Sequence, residues 1–187
     1  MNRIDSIFTK LRADGRKGLM PFVTAGYPSM DATAAILPAI ERAGGCICEI
    51  GFPFSDPIAD GPVISASMTD ALAAGATPGK AFDVIRSVRE QVDLGLVAMV
   101  SYSIAYRIGM TSFIDRAKQA GVDGFIFPDL PMEEAEATTG MVKEAGLTAS
   151  LLIAPTTPAE RAAKIAKLCS GFVYAVARTG ITGERDD

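Results

Sequence analysis

The chain has 187 residues, 49% of them apolar and 21% charged, with a formal net charge of -4. That balance describes a folded soluble domain rather than a disordered one, and it supplies no basic field for nucleic acid or an anionic membrane. No apolar run approaches the roughly 18 residues of a membrane span, and histidine is absent. Without histidine, Ser-His-Asp and Cys-His mechanisms and His-based metal sites are excluded, and no metal is expected. Acid–base chemistry then falls to carboxylates, tyrosine or lysine. Residues 1–5 open an amphipathic pattern containing Asp5 instead of a secretory signal, so a cytoplasmic protein is expected.

In chain order, the first expected strand is Leu19 to Ala25, followed by a turn, Thr24 to Ser29, with one glycine. A helix over Asp31 to Gly45 carries the stripe Ile36, Ile40 and Ala43, with Pro38 expected to kink it or shorten its ladder. The second strand, Cys46 to Phe52, puts Cys46 and Cys48 on one face, where both read as small core residues. Val63 to Ala74 reads as an extra helix. Another covers Thr77 to Gln91, with Thr77 as cap and Pro78 in the first turn. The strand Leu96 to Tyr102 follows, then a helix marked by Phe113, Ile114 and Ala117. Further strands are Gly124 to Phe127, Ala149 to Ala154 and Phe172 to Ala177. A capping box at Thr157 to Glu160 opens the helix of Ala162, Ile165, Ala166 and Cys169. Glycines after Ala43, Ala120 and Ala145 read as helix stops.

The strands are nearly continuous in apolar residues, the pattern of parallel strands covered on both faces. Strand alternating with helix specifies a parallel α/β sheet. Later strand starts at 96, 124, 149 and 172 are 28, 25 and 23 residues apart, but 50 residues separate the starts at 46 and 96. The loop after the second strand is therefore enlarged, on the side where such folds keep their chemistry. An open nucleotide-binding sheet calls for a glycine-rich first turn, which is missing. The expected fold is a TIM (β/α)8 barrel, one domain over 1–187, truncated after the sixth strand, since a full barrel needs eight strands in about 250 residues. On that reading the first and sixth strands lack partners, and the isolated chain is expected to be aggregation-prone.

The enlarged loop carries Glu49-Ile50-Gly51-Phe52-Pro53-Phe54-Ser55-Asp56-Pro57-Ile58-Ala59-Asp60-Gly61-Pro62. Glu49 lies near the carboxyl end of an apolar strand, where desolvation would raise its pKa into the range of a proton shuttle. Asp60 lies in a polar loop with Ser55 and Asp56, where staying ionised is easier, so the two divide into shuttle and fixed anion. The rival reading puts Glu49 at a wet rim and makes Asp56 and Asp60 ordinary turn residues.

The run from Glu49 to Pro62 resembles the motif of the tryptophan synthase α-subunit family. So do Pro21 to Pro28, Gly121 to Gly124 with Pro128 to Pro131, Ala154 to Pro158, and Arg178 to Gly183. The resemblance runs in register along the chain. It implies a carbon–carbon lyase of tryptophan biosynthesis, cleaving indole-3-glycerol phosphate by retro-aldol chemistry to indole and glyceraldehyde 3-phosphate. Glu49 matches the acid–base residue, and Asp60 the carboxylate that hydrogen-bonds the indole N–H. Phe22, Ile64, Val100, Tyr102, Ile126 and Tyr174 match positions lining the indole pocket; core packing is the rival reading for each. Thr182 and Gly183 match a loop that closes over the substrate. The resemblance also implies no cofactor in this subunit and a pyridoxal-phosphate β subunit as partner in an α2β2 heterotetramer, docked through the Pro53 to Asp60 segment with Pro53 and Asp56 at the interface. A catalytically silent barrel fragment that binds and activates the β subunit is the alternative. Ser103-Ile104 departs from the family, which usually has an aromatic or small residue followed by Asn.

Overall fold

Parallel pairing in strict chain order organises the molecule. The computed structural model describes residues 2–57 and 60–178. Its first elements are α1 (Arg3–Ala13), β1 (Phe22–Thr24), α2 (Met30–Arg42), β2 (Ile47–Gly51), α3 (Pro62–Ala73) and α4 (Pro78–Val88), the last continued by a 3-10 turn. Then come β3 (Gly95–Met99), α5 (Tyr102–Ile108), α6 (Met110–Ala120), β4 (Gly124–Ile126) and α7 (Met132–Glu144). The remainder is β5 (Thr148–Ser150), β6 (Leu152–Ile153), α8 (Ala159–Leu168) and β7 (Tyr174–Ala175).

One sheet runs β1-β2-β3-β4-β5 and a second pairs β6 with β7, all parallel. A doubly wound sheet reverses its strand order at a switch point; a barrel does not. The two faces of the sheet differ accordingly. Cys48, Ile50, Leu96, Ala98, Phe125 and Ala149 point outward into the large core shared with α4 and α6. Ile47, Val97 and Ile126 point inward, where Ile4 of α1 packs against them. Alternation along each strand produces this split.

The structure corrects several expectations. β3 ends at Met99, and Tyr102 begins α5 instead of ending a strand, because Ser101 caps the helix by accepting the Ser103 N–H. The expected strand Ala149 to Ala154 divides at Leu151 between two sheets. Leu19 is 65% exposed, outside the core in which it was expected. Pro38 lies inside α2, a 13-residue helix with buried Thr33 and Leu37, where it removes one donor from the ladder as expected. The capping box at Thr157 does not form: the Thr157 hydroxyl instead accepts the Ala154 N–H at 3.0 Å. Cys46 and Cys48 do not share a face, since Cys46 packs with the inner cluster and Cys48 with the outer. The Thr77 cap and the left-handed glycines 44, 121 and 146 stand as expected.

Candidate active site

Inward alternation on β2 determines where Glu49 goes. It shares the face of Ile47, among Ile4, Val97 and Ile126, and is 5% exposed. Its register neighbours are Phe22 on β1 and Val97 on β3. Burial alone pushes its pKa up to about 7. A carboxyl poised there gives and takes protons near neutrality. The adjacent Cys48 thiol is pushed up to about 12 by burial and by the Glu49 charge, so it stays protonated and inert.

Asp60 stands at the end of the enlarged loop, just before the Gly61 cap and Pro62 at the start of α3. Its N–H donates to the Pro57 carbonyl at 3.0 Å, closing a turn. The side chain is half-buried, and burial raises its pKa above the ordinary aspartate value. The expected contrast, in which Asp60 stays ionised more easily than Glu49, keeps its direction, although Asp60 is itself partly desolvated. Both carboxyls are desolvated, and Glu49 by more than Asp60. The exposed Asp56 instead accepts the Ser55 hydroxyl at 2.6 Å.

Tyr174 ties the two carboxylates together. Its phenol pKa is raised by burial, then by the charges of Glu49 and Asp60, so one ring lies in the field of both. Ile126 and Tyr174 belong to one cluster on the inner face. Ile64 lies in the first turn of α3, where its carbonyl accepts the Ser67 hydroxyl at 2.7 Å. Ser67 in turn accepts the buried Thr24 hydroxyl at 2.7 Å, which fastens α3 to the end of β1. Phe22 and Glu49 are therefore paired in register, Tyr174 lies near both Glu49 and Asp60 and in one cluster with Ile126, and Ile64 sits at the start of α3 just after Asp60.

Two expected residues are placed differently. The Tyr102 hydroxyl faces Glu134 and Thr138 on α7, away from Glu49, because Tyr102 has entered a helix. Pro53 is buried, while Asp56 lies at the rim. Thr182 and Gly183 lie outside the described residues. Beside Asp60 opens a cavity of about 350 Å³, lined by Val100, Asp56, Phe52 and Phe54 and also by Ser101, Ser103 and Asp129. Glu49 is not in its lining, so the cavity adjoins the two carboxyls at Asp60 instead of covering both. Ser101 and Asp129 were not singled out from sequence. The Pro128-Asp129-Leu130-Pro131 motif was the available signal, but nothing in it names a partner 27 residues earlier.

Fold and site together define a β/α-barrel protein in which two desolvated carboxyls, Glu49 and Asp60, face one tyrosine. Its solved likenesses include the tryptophan synthase subunit alpha of Legionella pneumophila, at a TM-score of 0.90 and 36% identity, covering 94% of this chain and 68% of that one. Tryptophan synthase of Mycobacterium tuberculosis is similar at a TM-score of 0.92 and 31% identity, covering 99% and 72%. In sequence, the tryptophan synthase alpha chain of Rhodopirellula baltica is 48% identical, covering 99% of this chain and 68% of its own. That of Prochlorococcus marinus is 44% identical, covering 97% and 66%. The family model described as tryptophan synthase alpha chain matches residues 8–187. The chain belongs to the tryptophan synthase alpha chain family, and it spans about two thirds of the length of these curated relatives.

Proposed function

We propose that this chain carries the acid–base centre of a lyase that cleaves indole-3-glycerol phosphate to indole and glyceraldehyde 3-phosphate. The observation that supports it is the buried Glu49, half protonated near neutrality, sharing Tyr174 with the desolvated Asp60. Neutral Glu49 gives its proton to C3 of the indole ring, and positive charge develops on the ring nitrogen. The Asp60 carboxylate accepts the N–H hydrogen bond and stabilises that charge, an interaction strongest in the transition state. Ionised Glu49 then takes the proton of the glycerol hydroxyl as the carbon–carbon bond breaks. The bond's electron pair returns to the ring, releasing indole and leaving the aldehyde. Glu49 ends in the state in which it began.

No step calls for a cofactor. Pyridoxal phosphate belongs to the β subunit, which receives the indole in an α2β2 assembly. The exposed Asp56, on the rim of the cavity, is the group of this loop offered to that partner. Among the described residues no helix is long and apolar enough to cross a membrane. The test is indole release by the protein carrying Glu49→Gln. The amide keeps the shape but shuttles no proton, so the rate falls by about 10²–10⁴-fold or more. Turnover near the parent's would remove Glu49 from the mechanism.

A further inference from the structure

The carboxylate of Asp129, in the loop after β4, is engaged by the segment that follows β3. One oxygen accepts the Tyr102 N–H at 2.7 Å and the other the Ser101 hydroxyl at 2.6 Å. Because Ser101 donates its only proton to Asp129, the Ser103 hydroxyl, 2.7 Å away, donates to Ser101. Ser101 also accepts the Ser103 N–H at 3.3 Å. The chain of hydroxyls thus runs in one direction, Ser103 to Ser101 to Asp129, and ends on a charge, which shortens and strengthens each bond.

The position of this cluster carries the inference. Backbone bonds link neighbouring strand ends up to this level: Phe52 N–H donates to the Met99 carbonyl at 2.8 Å, and Val100 N–H to the Ile126 carbonyl at 3.0 Å. Beyond Val100 the strand-to-strand ladder stops, and the Asp129 side chain continues the connection from the β4 loop to the β3 loop. Ser101, Ser103 and Asp129 line the same cavity as Asp60. Ser101 already caps α5 with its own oxygen, so the helix has a local cap without Asp129.

We propose that Asp129 is a positioning residue for the reaction: by locking Ser101 and Ser103 it holds the cavity wall that determines where the loop bearing Asp60 rests. This rests on the role given to Asp60 above. In Asp129→Asn, the amide still accepts the Tyr102 N–H but turns a donor toward Ser101, and the hydroxyl chain loses its charged end.

The experiment is a double-mutant cycle of Asp129→Asn and Asp60→Asn in the protein, reading kcat and KM for indole release and melting in parallel. Asp129→Asn alone is expected to lower kcat by about 10- to 100-fold, the scale of a small misplacement, with KM changing less. In the Asp60→Asn background the same substitution should lower kcat no further, because the group it positions is gone. Ser103→Ala, which leaves the Asp129 bonds to Tyr102 and Ser101 in place, should show a smaller fall with the same non-additivity, and it serves if Asp129→Asn does not fold. Equal losses in both backgrounds, or a lowered melting point with kcat unchanged, overturn the proposal while leaving the functional reading intact. Full turnover by Asp60→Asn alone defeats the functional reading, and this proposal falls with it.

Discussion

The Phe22 ring occupies the space that a β-carbon on Gly51 would fill. Gly51 lies two residues beyond Glu49 on the same inward face, paired with Thr24, so its missing side chain lets an aromatic ring lie beside Glu49. Its backbone φ lies outside the left-handed region, and the need for glycine is steric. Gly51→Ala is expected to displace the ring and to cost about 1–3 kcal/mol in a urea melt. In a Phe22→Ala background the added methyl should cost nothing more. An equal cost there would place the strain elsewhere than on Phe22.

Glu49 makes stability depend on pH in a definite direction. An exposed glutamate ionises near 4.5, whereas Glu49 in the folded chain holds its proton to about 7. Below pH 4.5 both states are neutral and nothing is lost. As pH rises through this window the unfolded chain ionises first, so stability falls, with the full penalty present above about 7. At roughly 1.4 kcal/mol per pKa unit, the penalty is on the order of 3 kcal/mol. Glu49→Gln should therefore match the parent at pH 4 and exceed it progressively up to pH 8. Coincident denaturation midpoints at pH 8 would mean that the carboxyl is hydrated after all.

Asp60→Asn probes the fixed anion. A carboxylate opposing a charge that develops only during reaction acts on the transition state, so kcat should fall by about 10²-fold while KM moves little. A raised KM with kcat intact would make Asp60 a binding residue instead.

At the amino ends of the strands, Arg89 donates to the carbonyls of Gly121, Val92 and Leu94 and to the carboxylate of Asp123, at 2.7–3.2 Å. Asp123 also accepts the Leu96 N–H at 2.9 Å, joining the starts of β3 and β4 to the end of α4. Arg89→Met leaves those carbonyls without their donor and the mostly buried Asp123 carboxylate with only Arg3 and the Leu96 N–H, at an expected cost of about 2–4 kcal/mol by thermal or denaturant melting. Adding Asp123→Asn should recover part of it. A loss below about 1 kcal/mol would reduce the network to an ordinary surface pair.

How much was legible in the sequence follows from what each feature depends on. The continuous apolar strands, the repeat of about 25 residues, the glycine stops and the Thr77 cap depend on neighbours a few positions apart, and they stand in the structure. The burial of Glu49 follows the leading reading of a single acid in an apolar strand, and the rival wet rim is not what the fold makes. Tertiary packing decided the rest. Tyr102 reads as strand by its own composition but opens a helix capped by Ser101, and its N–H is taken up by Asp129 from 27 residues away. Asp60 reads as an anion in a polar loop, and its partial desolvation at the start of α3, which is fastened to β1 through Thr24 and Ser67, is not visible in the local sequence. Local propensity is a property of adjacent residues, whereas desolvation and hydrogen-bond partners are set by whatever the fold brings across the gap.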